Sequence, residues 1–137
     1  MIGGDRTNIV RTRWWTLVVS PEIDHAKPGI YEWRIGSHSV YIGKSKRLLK
    51  RISEYPNNVR KLLAREPYRR GKPTKFRVIH HSLRMAHDEL ISVTVIVLET
   101  CEEADLTKRE HHWIAVRRQE EASGGPKVLN ATKPQSP

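Results

Sequence analysis

The pattern of hydrophobic and polar positions predicts three β-strands in the first third of the chain. Residues 13–19 are aromatic and β-branched and end before Ser20-Pro21, which predicts a strand. Residues 29–35 alternate with the two-residue period of a strand, and residues 39–43 follow after a short polar turn. We therefore expect a β-hairpin over residues 29–43, preceded by an N-terminal strand extension over about residues 10–28.

The length of the hairpin loop determines which side chains share a face, because a shift of one residue turns every side chain to the other face. A three-residue loop pairs Tyr41 with Trp33 and places Tyr31 and Tyr41 on the same face. A two-residue loop would separate the two tyrosines. We predict the three-residue loop.

Helical periodicity, with apolar residues three and four positions apart, dominates the rest of the chain. Four helices are predicted, over residues 46–55, 57–66, 74–86 and 102–119. Ser45 is the expected N-cap of the first helix, and Pro56 is expected to end it because proline lacks a backbone N–H. In the third helix, the apolar residues Val78, Ile79, Leu83 and Met85 are predicted to face inward in part.

Residues 91–99 form the clearest strand of the chain, and their nearly continuous apolar character predicts the centre of a sheet. A short extended segment is expected over residues 127–130. The predicted fold class is α+β, with a central antiparallel sheet, formed by the hairpin and the strand over 91–99, flanked by helices. We expect one domain over residues 1–137, with a basic helical insert over about residues 56–75 and a flexible proline-rich tail over about residues 131–137.

Length and composition exclude several classes of protein. A chain of 137 residues fits one domain of ordinary size. Cys101 is the only cysteine, which excludes an intramolecular disulfide and a metal site built on cysteine pairs. No apolar run approaches ~18 residues, and the first residues lack the apolar stretch of a signal peptide. These features predict a soluble cytoplasmic protein with no membrane partner.

Positive charge is concentrated in one quarter of the chain. The net charge is +10, from 25 lysines and arginines against 15 acidic residues. Residues 44–77 contain 13 of the basic and 2 of the acidic residues, a net charge of +11. Such clustering is typical of proteins that bind the phosphate groups of nucleic acids. A solvated basic helix surface is the alternative interpretation of this segment.

Two charged residues occupy positions that helical periodicity assigns to the protein interior. Glu110 lies on the apolar stripe of the last predicted helix, beside Trp113. A carboxylate next to apolar surface needs a cation, a metal ion or hydrogen-bond donors to remain charged. Arg51 shares a helix face with Leu48 and Tyr55, which holds it close to the sheet. A salt bridge at Glu110 and a solvent-facing cation at Arg51 are the simpler alternatives.

The hairpin and the segments after it carry an ordered set of motifs. Nine residues separate Gly29-Ile30-Tyr31 from Tyr41-Ile42-Gly43, and Arg51 follows the second tripeptide by eight residues. Glu110 lies in Arg109-Glu110-His111-His112-Trp113-Ile114, and Asn130 follows the last apolar pair. Together these motifs resemble the GIY-YIG nuclease family over about residues 29–131, and within that family the compact phage enzymes of the endonuclease II type.

The resemblance implies metal-dependent hydrolysis of double-stranded DNA to 5′-phosphate and 3′-hydroxyl ends. Glu110 would be the sole protein ligand of Mg²⁺, for which Mn²⁺ can substitute, with waters and a phosphate oxygen completing the coordination shell. Arg51 would bind the scissile phosphate, where negative charge accumulates in the transition state. Tyr31 would orient or deprotonate the attacking water.

The same resemblance implies roles for the residues around Tyr31. A phenol acts as a base only if its pKa falls, and the groups expected to lower it are the metal ion, Lys44, Arg51 and Lys75. Tyr41 is expected beside Tyr31, and Asn130 is expected to hydrogen-bond near the site and fix the end of the sheet. Tyr55 occupies the position of a histidine found in many members, so histidine-based proton transfer is not implied for this chain.

The basic segment is expected to bind the DNA duplex. The expected DNA-contacting residues are Lys44, Lys46, Arg47, Lys50, Arg60, Lys61, Arg65, Arg69, Arg70, Lys72 and His81. Cleavage of both strands by one site per chain needs two protomers or two successive nicks, so a homo-oligomer, either dimer or tetramer, is expected. The chain shows no appended DNA-binding domain, which favours restriction or phage-type degradation of host DNA, in a bacterial or phage-infected cell. The alternative function is a non-catalytic basic DNA- or RNA-binding module.

Overall fold

The computed structural model describes residues 14–24, 26–66 and 78–131. Five strands are present in these residues: β1 Trp15–Val18, β2 Gly29–Ile35, β3 Ser39–Ser45, β4 Val93–Thr100 and β5 Lys127–Val128. The helices are α1 Leu48–Ala64, α2 Val78–Asp88 and α3 Leu106–Ala122, and a single 3-10 turn over Glu103–Asp105 precedes α3. The predicted α+β class is confirmed.

The five strands form one mixed sheet in the order β1-β4-β2-β3-β5. Its centre is antiparallel, because β2 pairs with both β3 and β4. The predicted antiparallel sheet of the hairpin and the strand over 91–99 is confirmed, but the whole sheet is not antiparallel only, since β1 runs parallel to β4 and β5 runs parallel to β3. A short hairpin loop forces antiparallel pairing, whereas strands that pair across long connections are free to run parallel. The strand predicted for the centre, β4, is interior, but the middle strand is β2.

The predicted hairpin register is confirmed. Trp33 pairs with Tyr41 and Tyr31 pairs with Gly43. The loop has three residues and begins at Gly36, whose φ of +53° lies in the left-handed region that glycine adopts without strain. The backbone N–H of Gly36 donates to the carbonyl of Ser92, which ties the turn to the residue before β4.

Helices cover both faces of the sheet. On one face, here called the α1 face, Tyr31 and Trp33 pack against α1 and α2. On the opposite face, here called the α3 face, Ile30 and Ile42 pack against α3. Because successive strand residues point to opposite faces, neighbouring residues of β2 contact different helices.

Helix α1 is continuous where two helices were predicted, and Pro56 lies inside it. A proline removes one helical hydrogen bond and costs about 3 kcal/mol or more in a helix interior. Here Ile52, Tyr55 and Val59 continue the apolar stripe in phase across Pro56, and all three are buried. Burial of this stripe against the sheet outweighs the local cost, so the prediction that Pro56 ends the helix is wrong.

The predicted N-cap of the first helix is wrong. Helix α1 begins at Leu48, and Ser45 ends β3, where its hydroxyl accepts a hydrogen bond from the backbone N–H of Arg47 at 2.9 Å. In α2, the prediction that the apolar residues face inward in part is confirmed: Ile79 and Leu83 are buried, whereas Val78 and Met85 are exposed. Both lie about 100° or more around the helix from Ile79, on the side away from the sheet.

Other predicted segments extend beyond the described residues. Three predicted segments lie partly outside them: the N-terminal extension before Trp14, the basic insert over residues 67–75 and the tail over residues 132–137. The single domain over 1–137 therefore stays a prediction. Within the described part of the chain, none of the helices combines the length and the apolar character needed to cross a lipid bilayer.

Candidate active site

Three tyrosines and one arginine meet where the hairpin faces α1. The hydroxyl groups of Tyr31 and Tyr55 are hydrogen-bonded at 2.5 Å, and both side chains are buried. The ring of Tyr41 is 6.4 Å from the ring of Tyr55, centroid to centroid. The guanidinium carbon of Arg51 lies 5.1 Å from the centroid of the Tyr55 ring. The structure thus brings together three of the predicted site residues, with Tyr55 at the centre of the group; we call these four residues the tyrosine cluster.

The sequence builds this cluster by simple spacing. Tyr31 and Tyr41 reach the same face because of the three-residue loop. Arg51 and Tyr55 are four residues apart on α1, so their side chains lie one turn apart on the same side of the helix. Gly43 is paired with Tyr31, and a Cβ atom there would overlap the tyrosine ring. The glycine of the second tripeptide therefore leaves the space that the Tyr31 ring occupies.

Arg51 is a fixed cation at the edge of the tyrosine cluster. Its side chain is 24% exposed, and Nη1 donates to Oε1 of Glu54 at 2.7 Å. Burial lowers the pKa of Arg51, but the nearby Tyr55 and Tyr31 and the hydrogen bond to Glu54 outweigh burial and raise it above its ordinary value. The guanidinium is therefore charged at every pH of interest and partly open to solvent, as phosphate binding requires.

The tyrosines do not have the lowered pKa that the sequence predicts for Tyr31. Burial raises the pKa of Tyr31 to about 12, although the hydrogen bond to Tyr55 and the charge of Arg51 act in the opposite direction. Burial and the neighbouring Tyr31 raise the pKa of Tyr55 as well. Among the described groups, loss of hydration outweighs the charge of Arg51. The expected effect of Lys44 on Tyr31 is wrong, because Lys44 contacts Glu110 on the α3 face. The expected effects of the metal ion and of Lys75, which lies outside the described residues, stay predictions.

Glu110 lies on the opposite side of the sheet, on the first half of α3. Its side chain is 17% exposed, and Oε1 is 3.8 Å from Nζ of Lys44 on β3. Lys44 also donates to the hydroxyl of Thr107 at 2.7 Å. The salt bridge considered as the simpler alternative for Glu110 is therefore present. Among the described residues, no hydrogen bond or ion pair joins Glu110 to the tyrosine cluster, because α3 and α1 cover different faces.

The donor set around Glu110 fits a hard divalent cation that keeps most of its water. Mg²⁺ is commonly held by only one or two carboxylates, together with water and phosphate oxygens. The Glu110 carboxylate is partly exposed, and the Lys44 nitrogen stands beyond hydrogen-bond distance from Oε1. No cluster of three or more His, Cys, Asp or Glu side chains occurs in residues 14–24, 26–66 and 78–131. Among the described residues, Glu110 is thus a carboxylate that would hold the ion with water as its main co-ligand.

Asn130 lies at the sheet edge, where the sequence predicts it. Its Oδ1 accepts from the backbone N–H of Ile42 at 2.9 Å, and its Nδ2 donates to the carbonyl of Ile42 at 2.8 Å. The side-chain amide thus continues the pairing of β3 past the last residue of β5. This contact fixes the part of β3 that carries Tyr41 and Gly43.

Comparison of the chain with family models, curated proteins and solved structures gives no match. The similarity to GIY-YIG nucleases therefore stays a prediction, which rests on the spacing of the motifs.

The predicted DNA-contacting residues lie mainly at the two ends of α1. Lys46, Arg47 and Lys50 are exposed at its start, and Lys46 forms an ion pair with Glu103 at 3.1 Å. A second group comprises Arg60, Lys61 and Arg65 at its end, about 15 Å further along the helix axis. His81 is exposed on α2. Arg69, Arg70 and Lys72 lie outside the described residues.

A buried polar pair extends the tyrosine cluster and was not among the predicted site residues. His80 of α2 is buried, with its ring 5.5 Å from that of Tyr55. Its Nε2 is 3.2 Å from Nδ2 of Asn58, which is buried on α1. Asn58 follows Tyr55 by three residues, in phase with the apolar stripe. A polar residue in phase with an apolar stripe is the signal that singled out Glu110 and Arg51, and it applies to Asn58 as well.

Proposed function

We propose that this protein is a metal-dependent DNA endonuclease of the GIY-YIG type, which hydrolyses phosphodiester bonds to 5′-phosphate and 3′-hydroxyl ends. One observation carries the proposal: Tyr31, Tyr41 and Arg51, which come from two strands and a helix, meet in a single cluster. Nucleic-acid binding alone does not require a buried pair of hydrogen-bonded phenols beside a fixed guanidinium. Phosphoryl transfer uses a fixed cation and a polar group that positions the nucleophile.

Arg51 supplies the cation for the scissile phosphate. Its hydrogen bond to Glu54 and its position over the Tyr55 ring hold the guanidinium in one orientation before substrate arrives. Glu54 engages one of its amino groups and the side chain of Tyr31 also interacts with the guanidinium, which leaves part of its five N–H donors for phosphate oxygens. A preorganised cation stabilises the charge that develops on those oxygens in the transition state.

Tyr31 orients the attacking water as a neutral phenol. With a pKa of about 12, roughly one molecule in ten thousand carries the phenolate at pH 8. The neutral hydroxyl shares a hydrogen bond with Tyr55, so its position is fixed, and it retains the capacity for a further hydrogen bond. Because Tyr31 is buried, the water that it orients would have to enter the site with the bound DNA. Orientation of the water is therefore the role in which this phenol acts at neutral pH.

Glu110 would hold Mg²⁺ or Mn²⁺. A bound divalent ion supplies Lewis-acid stabilisation of a phosphate oxygen.

The substrate of this proposed nuclease is double-stranded DNA. Lys46 and Arg47 immediately precede α1, and Lys50 lies on its first turn, next to Arg51 in the sequence. All three are exposed, so phosphate contacts at the start of α1 lie close to the guanidinium. Double-strand cleavage then involves two protomers, as a dimer or tetramer, or two successive nicks by one site. Restriction or degradation of host DNA is the proposed role, and sequencing of the cleaved ends would identify the recognised sequence.

A plasmid assay tests the proposal. We expect the wild-type protein to nick or linearise supercoiled plasmid with Mg²⁺ and to lose this activity in EDTA. Glu110→Gln should abolish cleavage while DNA binding in a gel-shift assay persists. Glu89→Gln, which changes an exposed carboxylate after α2, is the matched control and should cleave like wild type. Equal cleavage by wild type and Glu110→Gln would refute the role of Glu110.

A non-catalytic DNA- or RNA-binding module is the second candidate. The burial of Tyr31 and its raised pKa favour it, since they make the phenol a poor base. This function predicts binding that falls steeply with salt concentration, unaffected by EDTA, and no cleavage with either Mg²⁺ or Mn²⁺. Cleavage in the plasmid assay that depends on Glu110 would exclude it.

A further inference from the structure

On the α3 face of the sheet, two arginines hold a fully buried carboxylate. Glu32 of β2 has no solvent-exposed surface. Its Oε2 accepts from Nε of Arg117 at 2.5 Å, and its Oε1 accepts from Nε of Arg34 at 2.7 Å. The guanidinium of Arg117 also lies 5.2 Å from the centroid of the Trp113 ring. None of these contacts involves a residue of the tyrosine cluster.

The pair formed by Glu32 and Arg117 links the elements that carry the two halves of the proposed site. Glu32 directly follows Tyr31 in β2, and its side chain points to the opposite face. Arg117 follows Glu110 by seven residues, so the two side chains lie on the same side of α3, about 10 Å apart along its axis. The strand that presents Tyr31 to α1 therefore also holds the helix that carries Glu110.

Apolar packing between α3 and the sheet is small. Leu106 is the one buried residue of α3, a helix that lies wholly within the described residues. The other contacts between α3 and the rest of the structure are largely polar. Arg109 and Trp113 both donate to Oε1 of Glu99 at 2.7 Å. Arg118 donates to the carbonyl of Asn130 at 3.0 Å. Apolar contacts tolerate sliding along a helix axis, whereas a charged hydrogen-bonded pair keeps its strength only within a narrow range of distances and angles.

A buried ion pair is an inefficient way to stabilise a fold. The cost of removing both charges from water is large, and apolar residues of similar size are often equally stabilising. Such a pair is better suited to fixing one arrangement of two elements than to adding stability. The pair of Glu32 and Arg117, buried between β2 and α3, has the location that such a role requires.

We propose that Glu32 and Arg117 are a positioning pair: they fix the place of α3 along the sheet and thereby the place of Glu110 relative to Tyr31 and Arg51. The consequence for catalysis rests on the proposed nuclease function. The effect on the position of α3 does not rest on that function, because the contact between Lys44 and Glu110 depends on this position and can be measured without any cleavage.

An open pocket beside the pair allows a direct test by chemical rescue. It has a volume of about 380 Å³ and is lined by Glu32, Arg34, Val40, Arg117, Glu120 and Pro126, together with the hairpin turn. In Arg117→Ala, a guanidinium ion from solvent can therefore reach the Glu32 carboxylate. We expect kcat for plasmid cleavage to fall about 100-fold with KM for DNA within twofold of wild type, because a shift of about 1 Å in a catalytic group costs this much. Low millimolar guanidinium should restore kcat at least tenfold.

Two variants separate positioning from stability. The apolar double variant Glu32→Leu/Arg117→Leu should have a melting temperature equal to or above that of wild type, and yet cleave poorly. Asp88→Asn, which removes the carboxylate of an exposed ion pair on α2, should cleave like wild type with and without guanidinium. A stable double variant with wild-type kcat would overturn the inference. So would an Arg117→Ala variant with a lowered melting temperature that guanidinium does not rescue.

Zero-length carbodiimide coupling measures the place of α3 independently of cleavage. In wild type, the reagent should join Lys44 to Glu110, and mass spectrometry of the digested protein detects the linked peptides. We expect the yield to fall severalfold in Arg117→Ala and to return with guanidinium. If wild type does not cleave DNA but the coupling behaves in this way, the nuclease proposal fails and the positioning pair stands. An unchanged coupling yield in Arg117→Ala would overturn the positioning pair, whatever the outcome of the cleavage assay.

Discussion

Gly43 on β3 lies against the phenol ring of Tyr31, its partner on β2. A Cβ atom at position 43 would overlap Cζ, Cε1 and the hydroxyl oxygen of that ring. The ring can extend over β3 and reach the hydroxyl of Tyr55 only because position 43 has no side chain. The final glycine of one tripeptide and the final tyrosine of the other are thus a single packing unit.

Gly43→Ala should displace the Tyr31 ring and break its hydrogen bond to Tyr55. We expect a loss of about 1–3 kcal/mol in the free energy of unfolding, the usual cost of overpacking a core, and a fall in cleavage of about 100-fold. Urea unfolding and the plasmid assay measure the two effects. The overlap is removed when the ring is absent, so the Gly43→Ala substitution should cost clearly less stability in a Tyr31→Ala background. Equal costs in both backgrounds would show that the overlap is not the cause.

Arg51→Lys keeps the charge but removes the planar group that pairs with Glu54 and lies over Tyr55. A lysine presents a mobile point charge in place of a fixed fork of donors, so we expect kcat to fall about 100-fold and KM for DNA to change little. Steady-state cleavage of a fluorescent duplex separates the two constants. Lys50→Ala is the informative comparison, because loss of an exposed phosphate contact should raise KM and reduce the salt dependence of binding by about one ion. The same pattern in both variants would mean that Arg51 only binds DNA.

The raised pKa of Tyr31 predicts a loss of stability at alkaline pH. The folded protein holds the Tyr31 proton up to about pH 12, whereas the unfolded chain releases it near pH 10. The contribution of this pKa difference to the free energy of unfolding is therefore complete below pH 10, and it is lost as the pH rises from 10 to 12. It amounts to about 2–3 kcal/mol for a shift of this size. The free energy of unfolding should thus fall more steeply with pH in wild type than in Tyr31→Phe, and parallel curves from pH 9 to 11.5 would contradict the prediction.

The hairpin and its register follow from the sequence because period-two alternation and a three-residue loop leave one arrangement of Tyr31 and Tyr41. The continuity of α1 does not follow locally. Pro56 is a valid stop signal by itself, and only the burial of Ile52, Tyr55 and Val59 against the sheet overrides it. Helix propensity is a property of one segment, whereas the burial of that segment depends on the surface against which it packs.

For the charged and titratable groups of the site as well, part of the arrangement follows from the sequence and part depends on the tertiary fold. Helical phase correctly marks Glu110 and Arg51 as partly buried charges, and their partners are a lysine of β3 and a glutamate one turn away. The pKa of Tyr31 depends on how completely the ring loses water, which no local pattern reports. The burial of Glu32 does not follow from the sequence either, because a single charged residue in an alternating strand usually faces solvent. Its partner Arg117 is 85 residues away, so only the tertiary fold shows that this face is covered.

Asn130→Asp tests whether the sheet edge holds the cluster in place. The Asn130 amide both donates to and accepts from the backbone of the buried residue Ile42, whereas a carboxylate can only accept and faces the Ile42 carbonyl. An unpaired buried acceptor costs about 1–3 kcal/mol, so we expect a loss of this size in urea unfolding.

Because β3 also carries Gly43, loosening of its edge in Asn130→Asp should speed hydrogen exchange of the Ile42 amide and lower cleavage. Asn57→Asp, at an exposed position of α1 where the amide oxygen contacts Arg60, is the matched control. It should change stability by less than about 0.5 kcal/mol, as surface substitutions do. An Asn130→Asp protein with wild-type stability and a protected Ile42 amide would show that β5 alone is sufficient to hold the edge of β3.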